Sequence, residues 1–237
     1  MSQREEYGDR LDEAYWEVNA AASRLISYGC GVSARHLQDR RLRMQFNREL
    51  AYYARRVMND MYERKISSED AIGKILAERN SLRSQSERIS KQLIGLAGGA
   101  SQIVTGIGIC IGSMGAACAF PGAPMMAHGG NNLYENSKGL LTGRDDVVGP
   151  VRDAYISIAQ SLGYSERDGN VAYYGLDLYL SYKGLTREVL KPNAWRLFYY
   201  LKADKQIALQ QMSKAALGLE GTAGAVTLDQ ISKEYKK

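Results

Sequence analysis

The feature that most constrains this chain is a long stretch without a charged side chain. No Asp, Glu, Lys or Arg occurs over residues 92–134, a run of 43 residues, although 24% of the 237 residues are charged. Gly, Ala, Ile and Met dominate residues 93–127 of this run. An apolar surface of this size must be covered by a membrane, a partner or a protein core. Which of these three covers the apolar segment therefore limits the possible functions of the chain.

The length of the apolar segment leaves three arrangements open. Residues 103–120 are 18 residues without a charge, which meets the lower limit for a membrane-spanning helix. As one helix, residues 93–127 would extend about 52 Å, longer than the ~30 Å of a hydrocarbon layer, and two full spans would need more residues. The segment is one span with an interfacial extension, a short re-entrant hairpin, or a hairpin buried in a soluble bundle.

Glycine spacing in this segment favours close contact between helices. Gly95 and Gly99 are four residues apart, as are Gly108 and Gly112, and Gly115 continues the second pair. An interior Gly costs a water-exposed helix about 1 kcal/mol relative to Ala, whereas small residues let two helix backbones approach. The alternative is a tightly packed core helix that never meets lipid. The candidate membrane or pore face contains these five glycines and three isoleucines, Ile103, Ile107 and Ile111.

The flanking regions predict an all-α fold, a helical bundle that encloses the central Gly/Ala/Ile-rich helical segment or hairpin. Apolar residues recur at helical spacing on both sides of the apolar run. Helices are predicted over residues 9–28, 33–65, from 67 onward, and over 150–163, 171–185, 193–217 and 227–235. Ser67 and Asp70 resemble a capping box at the start of the third helix. Glycines after residue 28 should end the first helix, and residues 218–226 read as a Gly/Ala/Thr-rich tail.

Three regions follow from this pattern. A charged helical region covers residues 1–91, the apolar glycine-rich segment covers 92–134, and a second helical region covers 135–237. We expect them to form one folding unit. In the soluble form this unit should bury most of the large apolar side chains of the central segment, namely Ile103, Ile107, Ile111 and Met114. The charged first residues predict that no signal peptide is present.

Two cysteines flank the middle of the apolar segment. Cys110 and Cys118 would lie about 12 Å apart along a straight helix, too far for a disulfide. Only a chain reversal between them would allow a bond. Small apolar core residues are the favoured interpretation.

A polar cluster follows at the exit of the apolar segment. His128, Asn132 and Glu135 would share one face of a helix. One His and one Glu are too few ligands for a closed zinc site, and a weak metal site or an acid–base pair is the functional alternative. We expect a structural hydrogen-bond network with no catalytic residue, metal or cofactor. Its predicted members are His128, Asn131, Asn132, Tyr134, Glu135 and, from a later helix, Asp177.

Basic residues concentrate on the second helix. Seven arginines between residues 35 and 56 outnumber two acidic residues, Asp39 and Glu49, which gives a local balance of +5. Such a helix can attract anionic lipid or nucleic acid. The favoured interpretation is a solvated face whose arginines pair with Glu78 and Glu87. Phosphate-loop, zinc and nucleophile motifs are absent, and no nucleic-acid partner is expected.

Several motifs in the second half resemble a family of uncharacterised bacterial domains found in Gram-negative species. The resemblance covers roughly residues 95–235 and is most specific at His-Gly-Gly-Asn-Asn-Leu-Tyr-Glu, residues 128–135. The other matching positions are Gly106, Gly115, the Gly-Ala-Pro of 122–124, the Gly-Tyr of 163–164, the Tyr-Tyr-Gly-Leu-Asp of 173–177, Ser181, the Lys-Pro of 191–192 and the Trp-Arg-Leu-Phe of 195–198.

Members of that family occur near type VI secretion genes. In size and layout the chain is also similar to small type VI effectors that form ion-selective pores in the inner membrane of rival cells. The resemblance implies a cognate immunity protein in the producing cell and no catalytic residues.

The function expected from these observations is that of an antibacterial toxin, not an enzyme. It would be made in the cytoplasm of the producer and bind a component of the secretion machinery. At the inner membrane of the target cell it would cause ion leakage and depolarisation. Several copies could associate in that membrane. Two alternatives stay open: a toxin enzyme with His128, Glu135 and Asp177 at a buried site, and a non-enzymatic interaction protein whose apolar segment is ordinary core.

Overall fold

A computed structural model describes residues 3–190 and 205–236 of the chain. Over these residues the fold is all-α, as predicted. Its seven α-helices are α1 (Gln3–His36), α2 (Arg40–Tyr62), α3 (Ser68–Gly112), α4 (Ala123–Thr142), α5 (Pro150–Ser161), α6 (Glu166–Thr186) and α7 (Lys214–Glu234). Two short strands, β1 (Glu188–Leu190) and β2 (Lys205–Ile207), pair in antiparallel register, Val189 opposite Gln206.

The chain divides into two compact units, Met1–Arg88 and Ile89–Lys237. Helix α3 contributes its first part to unit 1 and its second part to unit 2. The expectation of a single folding unit concerns cooperative unfolding and stays a prediction.

Unit 1 is built from α1, α2 and the first part of α3 around one apolar core. Asp39 caps α2 by accepting hydrogen bonds from the backbone N–H groups of Arg41 and Leu42. Ser67 accepts one from the N–H of Asp70 at the start of α3, as the predicted capping pair requires. The core side chains include Val18, Leu25, Leu50, Val57, Ile75 and Leu82.

The glycines predicted to end the first helix do not end it, and α1 continues to His36. A Cβ at Gly29 would collide with the side chain of Leu50, so the absent side chain lets α2 approach. Tertiary packing therefore offsets the low helix propensity of glycine at this position.

The C-terminal elements differ from the sequence prediction in two ways. Residues 205–207 form β2 and Ala208–Gln211 a 3-10 turn, where the predicted helix 193–217 should continue; residues 191–204 lie outside the described part of the chain. The Gly/Ala/Thr-rich stretch, expected as a tail, lies inside α7. Ser213 starts α7 by accepting a hydrogen bond from the N–H of Ala216, a local signal that the glycine content obscured.

Candidate functional site

The apolar segment forms a helical hairpin in unit 2, with the second part of α3 as its first leg and α4 as its second. The chain reverses at residues 113–117, where Met114 and Gly115 have positive φ angles of 50° and 88°. The reversal brings Cys110 and Cys118 together in a disulfide. The interpretation of these cysteines as unpaired core residues was wrong, because only Gly115 marked the turn in the sequence.

The part of the hairpin nearest to α5 and α6, residues 92–106 and 122–142, is its base. Here glycines let the two legs touch backbone to backbone. A Cβ at Gly99 would lie 2.7 Å from the carbonyl oxygen of Gly129, and one at Gly106 would lie 2.7 Å from that of Gly122. A Cβ at Gly95 would collide with the side chain of Asn136. Close approach within one chain thus accounts for Gly95, Gly99 and Gly106 of the base.

The remaining part, residues 107–120, is the hairpin tip, and it is open to solvent. Ile111 is 74% exposed and Met114 is 98% exposed, with Ile107 and Phe120 also exposed. A Cβ at Gly108, Gly112 or Gly115 would meet no atom within 4 Å. The glycines of the predicted face therefore divide into two classes, packed ones in the base and open ones in the tip.

The expectation that the bundle encloses the apolar segment was wrong for the tip. Ile107, Ile111 and Met114 are exposed, and Ile103 is half-buried. Buried polar contacts with α5 and α6 hold the base, but within the described residues the tip extends past them and keeps only partial cover, such as the stacking of Phe120 on Tyr179.

Among the described residues, α3 is the one helix long and apolar enough to cross a membrane. Its most apolar 18-residue window has a mean hydropathy of 1.6, and 17% of that window is buried. The core helix of a soluble protein can reach the same hydropathy, but such a helix is mostly buried. Because only 17% of its most apolar window is buried, α3 differs from a core helix of this kind.

The predicted polar cluster lies in the base, between α3, α4 and α6. The buried His128 ring stacks on Tyr173 with 4.7 Å between ring centroids, and its Nδ1 lies 3.5 Å from Asp177 Oδ1. Asp177 Oδ1 also accepts a hydrogen bond from Gln102 Nε2 at 2.7 Å. Asn132 Nδ2 donates to Gln102 Oε1 at 3.0 Å, which ties both legs of the hairpin to α6.

Asn131 and Glu135 connect the base to the start of α5. The N-cap of α5 is Gly149, which has no side chain to cap the helix. Glu135 Oε1 accepts from Gly149 N at 2.7 Å, and Asn131 Oδ1 accepts from Val151 N at 2.9 Å. Two side chains of α4 therefore satisfy N–H groups that every helix leaves free at its N-terminus. These two contacts cap the start of α5. The expectation that the whole cluster is structural stays a prediction.

Burial dominates the electrostatics of the cluster. It raises the pKa of Glu135 above its ordinary value, although the Gly149 N–H, Arg152 and Asn131 oppose the shift. Burial also raises the pKa values of Tyr173 and Tyr174. Both phenols therefore stay protonated at neutral pH, and Tyr173 donates its O–H to Asn132 Oδ1 at 3.0 Å.

One predicted member does not join the cluster. Tyr134 is exposed on the other side of α4, where its hydroxyl accepts a hydrogen bond from Lys138 Nζ. Three members were missed: Gln102, Tyr155 and Arg152. The Tyr155 hydroxyl lies 3.3 Å from His128 Nε2, and Arg152 Nη1 lies 3.8 Å from Glu135 Oε2. Gln102 had a detectable signal, because a side-chain amide within an uncharged apolar run needs a buried partner.

No group of three His, Cys, Asp or Glu residues in the described ranges is placed to hold a metal ion. A cavity of about 190 Å³ borders the cluster at Gln102 and Ser181 and is also lined by Arg187 and Glu220. Burial lowers the pKa of Arg187, whose Nη1 donates to the carbonyl oxygen of Thr105 at 3.3 Å. Gln102 and Ser181 line the cavity and also border the cluster. Among the described residues, none of the hairpin tip lines the cavity.

Comparison with known proteins identifies the family. The chain belongs to the family described as "Protein of unknown function (DUF4225)", whose model matches residues 60–213. The predicted membership of an uncharacterised family is confirmed, and the match starts earlier than expected, near the end of α2. No curated protein and no solved structure matches the chain.

Proposed function

We propose that this protein is an antibacterial toxin, delivered by type VI secretion, that inserts its hairpin tip into the inner membrane of a target bacterium and lets ions leak. The observation that carries the proposal is the exposed hairpin tip, which lies in the uncharged run of a chain that is charged on both sides of that run. Its partners would be the inner membrane, a component of the secretion machinery, an immunity protein in the producer and further copies of the chain.

The tip alone reaches only the outer part of a bilayer, so a full span requires more of α3. Residues 92–112 of α3 would extend about 31 Å, close to the ~30 Å of the hydrocarbon layer. This span includes Gln102, which is bonded to Asp177 in the base. Insertion therefore has two steps: the tip enters first, and the base then separates from α6. Transfer of the exposed apolar side chains into lipid offsets the lost hydrogen bonds.

The open glycines of the tip supply a surface for association in the membrane. Among the described residues, none would meet a side chain added at Gly108, Gly112 or Gly115. In lipid, small residues on one helix allow a second helix to pack closely. Tips from several copies could thereby surround an ion path.

The disulfide supports action on the periplasmic side of the target membrane. Bonds such as Cys110–Cys118 persist in oxidising compartments, including the bacterial periplasm, and are rare in the reducing cytosol. The closed tip would therefore be the form that meets the membrane from the periplasm.

The test is expression of the protein in the periplasm and, separately, in the cytoplasm of a susceptible strain, with a membrane-potential dye and a large impermeant dye. We expect depolarisation from the periplasm without entry of the large dye. Ile111→Asp should abolish depolarisation, because a charge in a span costs about 2.5–3.5 kcal/mol. Ile158→Asp, on the exposed side of α5, is the matched control and should depolarise like wild type.

A toxin enzyme is the competing function, and the buried His128–Asp177 pair beside a polar cavity is the observation in its favour. Cell death with an intact membrane potential would support the enzyme and contradict the pore. Loss of toxicity in Asp177→Asn with normal folding and normal membrane binding would point the same way. A protein with no effect in either compartment would fit the interaction module.

A further inference from the structure

The outward side of α2 carries a second unpartnered surface, in unit 1. At 3.6 residues per turn its members fall within an arc of about 80° and extend roughly 32 Å along the helix. The opposite side of α2 packs into the core through Leu50, Ala54 and Val57. We define this α2 outer face as Arg41, Met44, Arg48, Tyr52, Arg55 and Tyr62.

The arginines of the α2 outer face have no acidic partner in the described part of the chain. Arg41, Arg48 and Arg55 are exposed, and none forms an ion pair with any part of the chain that the structure describes. The prediction that arginines of this helix pair with Glu78 and Glu87 was wrong for these three. Glu87 pairs with Arg83 of its own helix.

The acidic residues at the edges of the face already have partners. Glu49 accepts a hydrogen bond from Gln45 Nε2 at 2.9 Å, and Glu63 forms an ion pair with Lys65. The neutral amide of Gln45 does not cancel the carboxylate of Glu49, so the face presents three arginines against one neighbouring carboxylate. A surface of this kind binds anions.

Large apolar and aromatic side chains lie between the arginines. Met44 is 73% exposed and Tyr62 is 79% exposed, and Tyr52 is exposed between them. A phosphate backbone offers no partner for a methionine. A bilayer interface accepts both kinds of group, because guanidinium groups meet the phosphates while Met and Tyr enter the boundary of the acyl chains.

We propose that the α2 outer face docks unit 1 on a membrane surface rich in anionic phospholipid. The inference deepens the proposed function and rests on it for the choice of a bacterial membrane as the partner. Attachment through α2 would hold the chain at the bilayer and make entry of the hairpin tip an intramolecular step, which raises its effective concentration. In this proposal the α2 outer face makes the first contact with the membrane, and the hairpin tip then inserts.

Sedimentation of the full chain with lipid vesicles tests the docking surface. Wild type should bind vesicles of phosphatidylcholine mixed with phosphatidylglycerol much more strongly than pure phosphatidylcholine, and added salt should weaken the difference. Replacement of Arg41, Arg48 and Arg55 by Gln should weaken binding about fivefold per arginine, or roughly 100-fold for the triple variant. All three positions are exposed, so its thermal unfolding should match wild type.

Two further variants separate the face from net charge and from other anionic partners. The matched control replaces Arg24, Lys74 and Lys214 by Gln; these are exposed cations on α1, α3 and α7, and binding should stay close to wild type. Replacement of Met44 and Tyr62 by Gln leaves every charge in place. It should weaken vesicle binding, whereas binding of duplex DNA, which is held through its phosphates, should stay the same.

Three outcomes would overturn the docking proposal: equal binding to both kinds of vesicle, equal losses in the arginine triple variant and its control, or binding of duplex DNA without binding of vesicles. A protein that docks through its arginines yet never depolarises a membrane would leave the docking surface standing and defeat the pore. An arginine triple variant that still depolarises membranes and binds vesicles as strongly as wild type would defeat the docking surface and leave the pore standing.

Discussion

The hairpin base and the hairpin tip both contain part of α3 and have a similar composition, but their glycines have different surroundings. Gly99 and Gly108 are both in α3. A side chain at Gly99 would press on the backbone of Gly129, whereas one at Gly108 would meet nothing within 4 Å. Packing inside the chain explains Gly95, Gly99 and Gly106 of the base, whereas the described residues offer no such contact at Gly108 and Gly112 of the tip. The surroundings of their glycines thus distinguish the two regions within the described part of the chain.

The two regions also differ in polarity. The base is anchored by buried hydrogen bonds among Gln102, Asn132 and Asp177, whereas the tip is closed by the Cys110–Cys118 disulfide and exposes Ile111 and Met114. A buried polar network resists separation, because each broken hydrogen bond leaves a partner unsatisfied. The base is therefore held to α6 by buried hydrogen bonds, whereas the tip is closed by a disulfide and exposes apolar side chains.

The largest effect on stability is expected from a side chain in the base. Gly99→Leu should lower the free energy of unfolding by about 3 kcal/mol or more, since overpacking against a backbone cannot relax by a rotamer change. Gly108→Leu is the matched control and should unfold at nearly the wild-type urea concentration. Equal losses in both variants would erase the distinction between base and tip.

A smaller loss is expected when the connection between the base and α5 is cut. Asn131→Ala removes the acceptor for Val151 N and the donor to Glu135 and Tyr173. Unfolding in urea should show a loss of about 1–3 kcal/mol. Asn59→Ala, at an exposed position of α2, should change stability by less than about 0.5 kcal/mol. A wild-type value for Asn131→Ala would mean that the network does not hold α5.

In the tip, replacement of a helical glycine by alanine should stabilise the protein. Gly112→Ala is expected to stabilise the soluble protein by up to about 1 kcal/mol, because alanine has the higher helix propensity and the site is open. Thermal unfolding of the variant and wild type measures this gain. Destabilisation would show that Gly112 is packed in solution.

The pH dependence of the base should report on Glu135. Burial raises its pKa above 4.5 in the folded state, so folding favours the protonated form and this stabilisation is lost as pH rises through the folded pKa. Relative to Glu135→Gln, wild type should therefore lose stability from about pH 4.5 upward. Paired thermal scans across acidic and neutral pH provide the comparison. A stability difference that does not change with pH would show that the carboxyl group titrates normally.

Much of the fold could be predicted from local patterns, and the errors have physical causes. Apolar periodicity and the Ser67/Asp70 capping pair located the helices of unit 1. The Gly29 prediction failed because contact with Leu50 compensates for low propensity. The strand β2 could not be predicted, because its pairing with β1 depends on residues distant in sequence.

The candidate site was predicted in its members but not in its geometry. His128, Asn131, Asn132, Glu135 and Asp177 meet in the base, because helical spacing places the first four on α4 facing α6. Exposure of the tip was beyond sequence reasoning, since an uncharged run has the same composition in a core and on a surface. Only the packing of α5 and α6 around the base separates the two cases.

Current through a planar bilayer tests the central claim that the hairpin tip forms an ion path through its open glycines. Wild type should carry current, and the double replacement of Gly108 and Gly112 by Leu should bind vesicles at least as strongly while carrying none, because the span stays apolar but loses its small face. Thermal unfolding of the same preparation should show an intact fold, since both positions are open in the soluble form. Full current through the double-Leu variant would contradict the account.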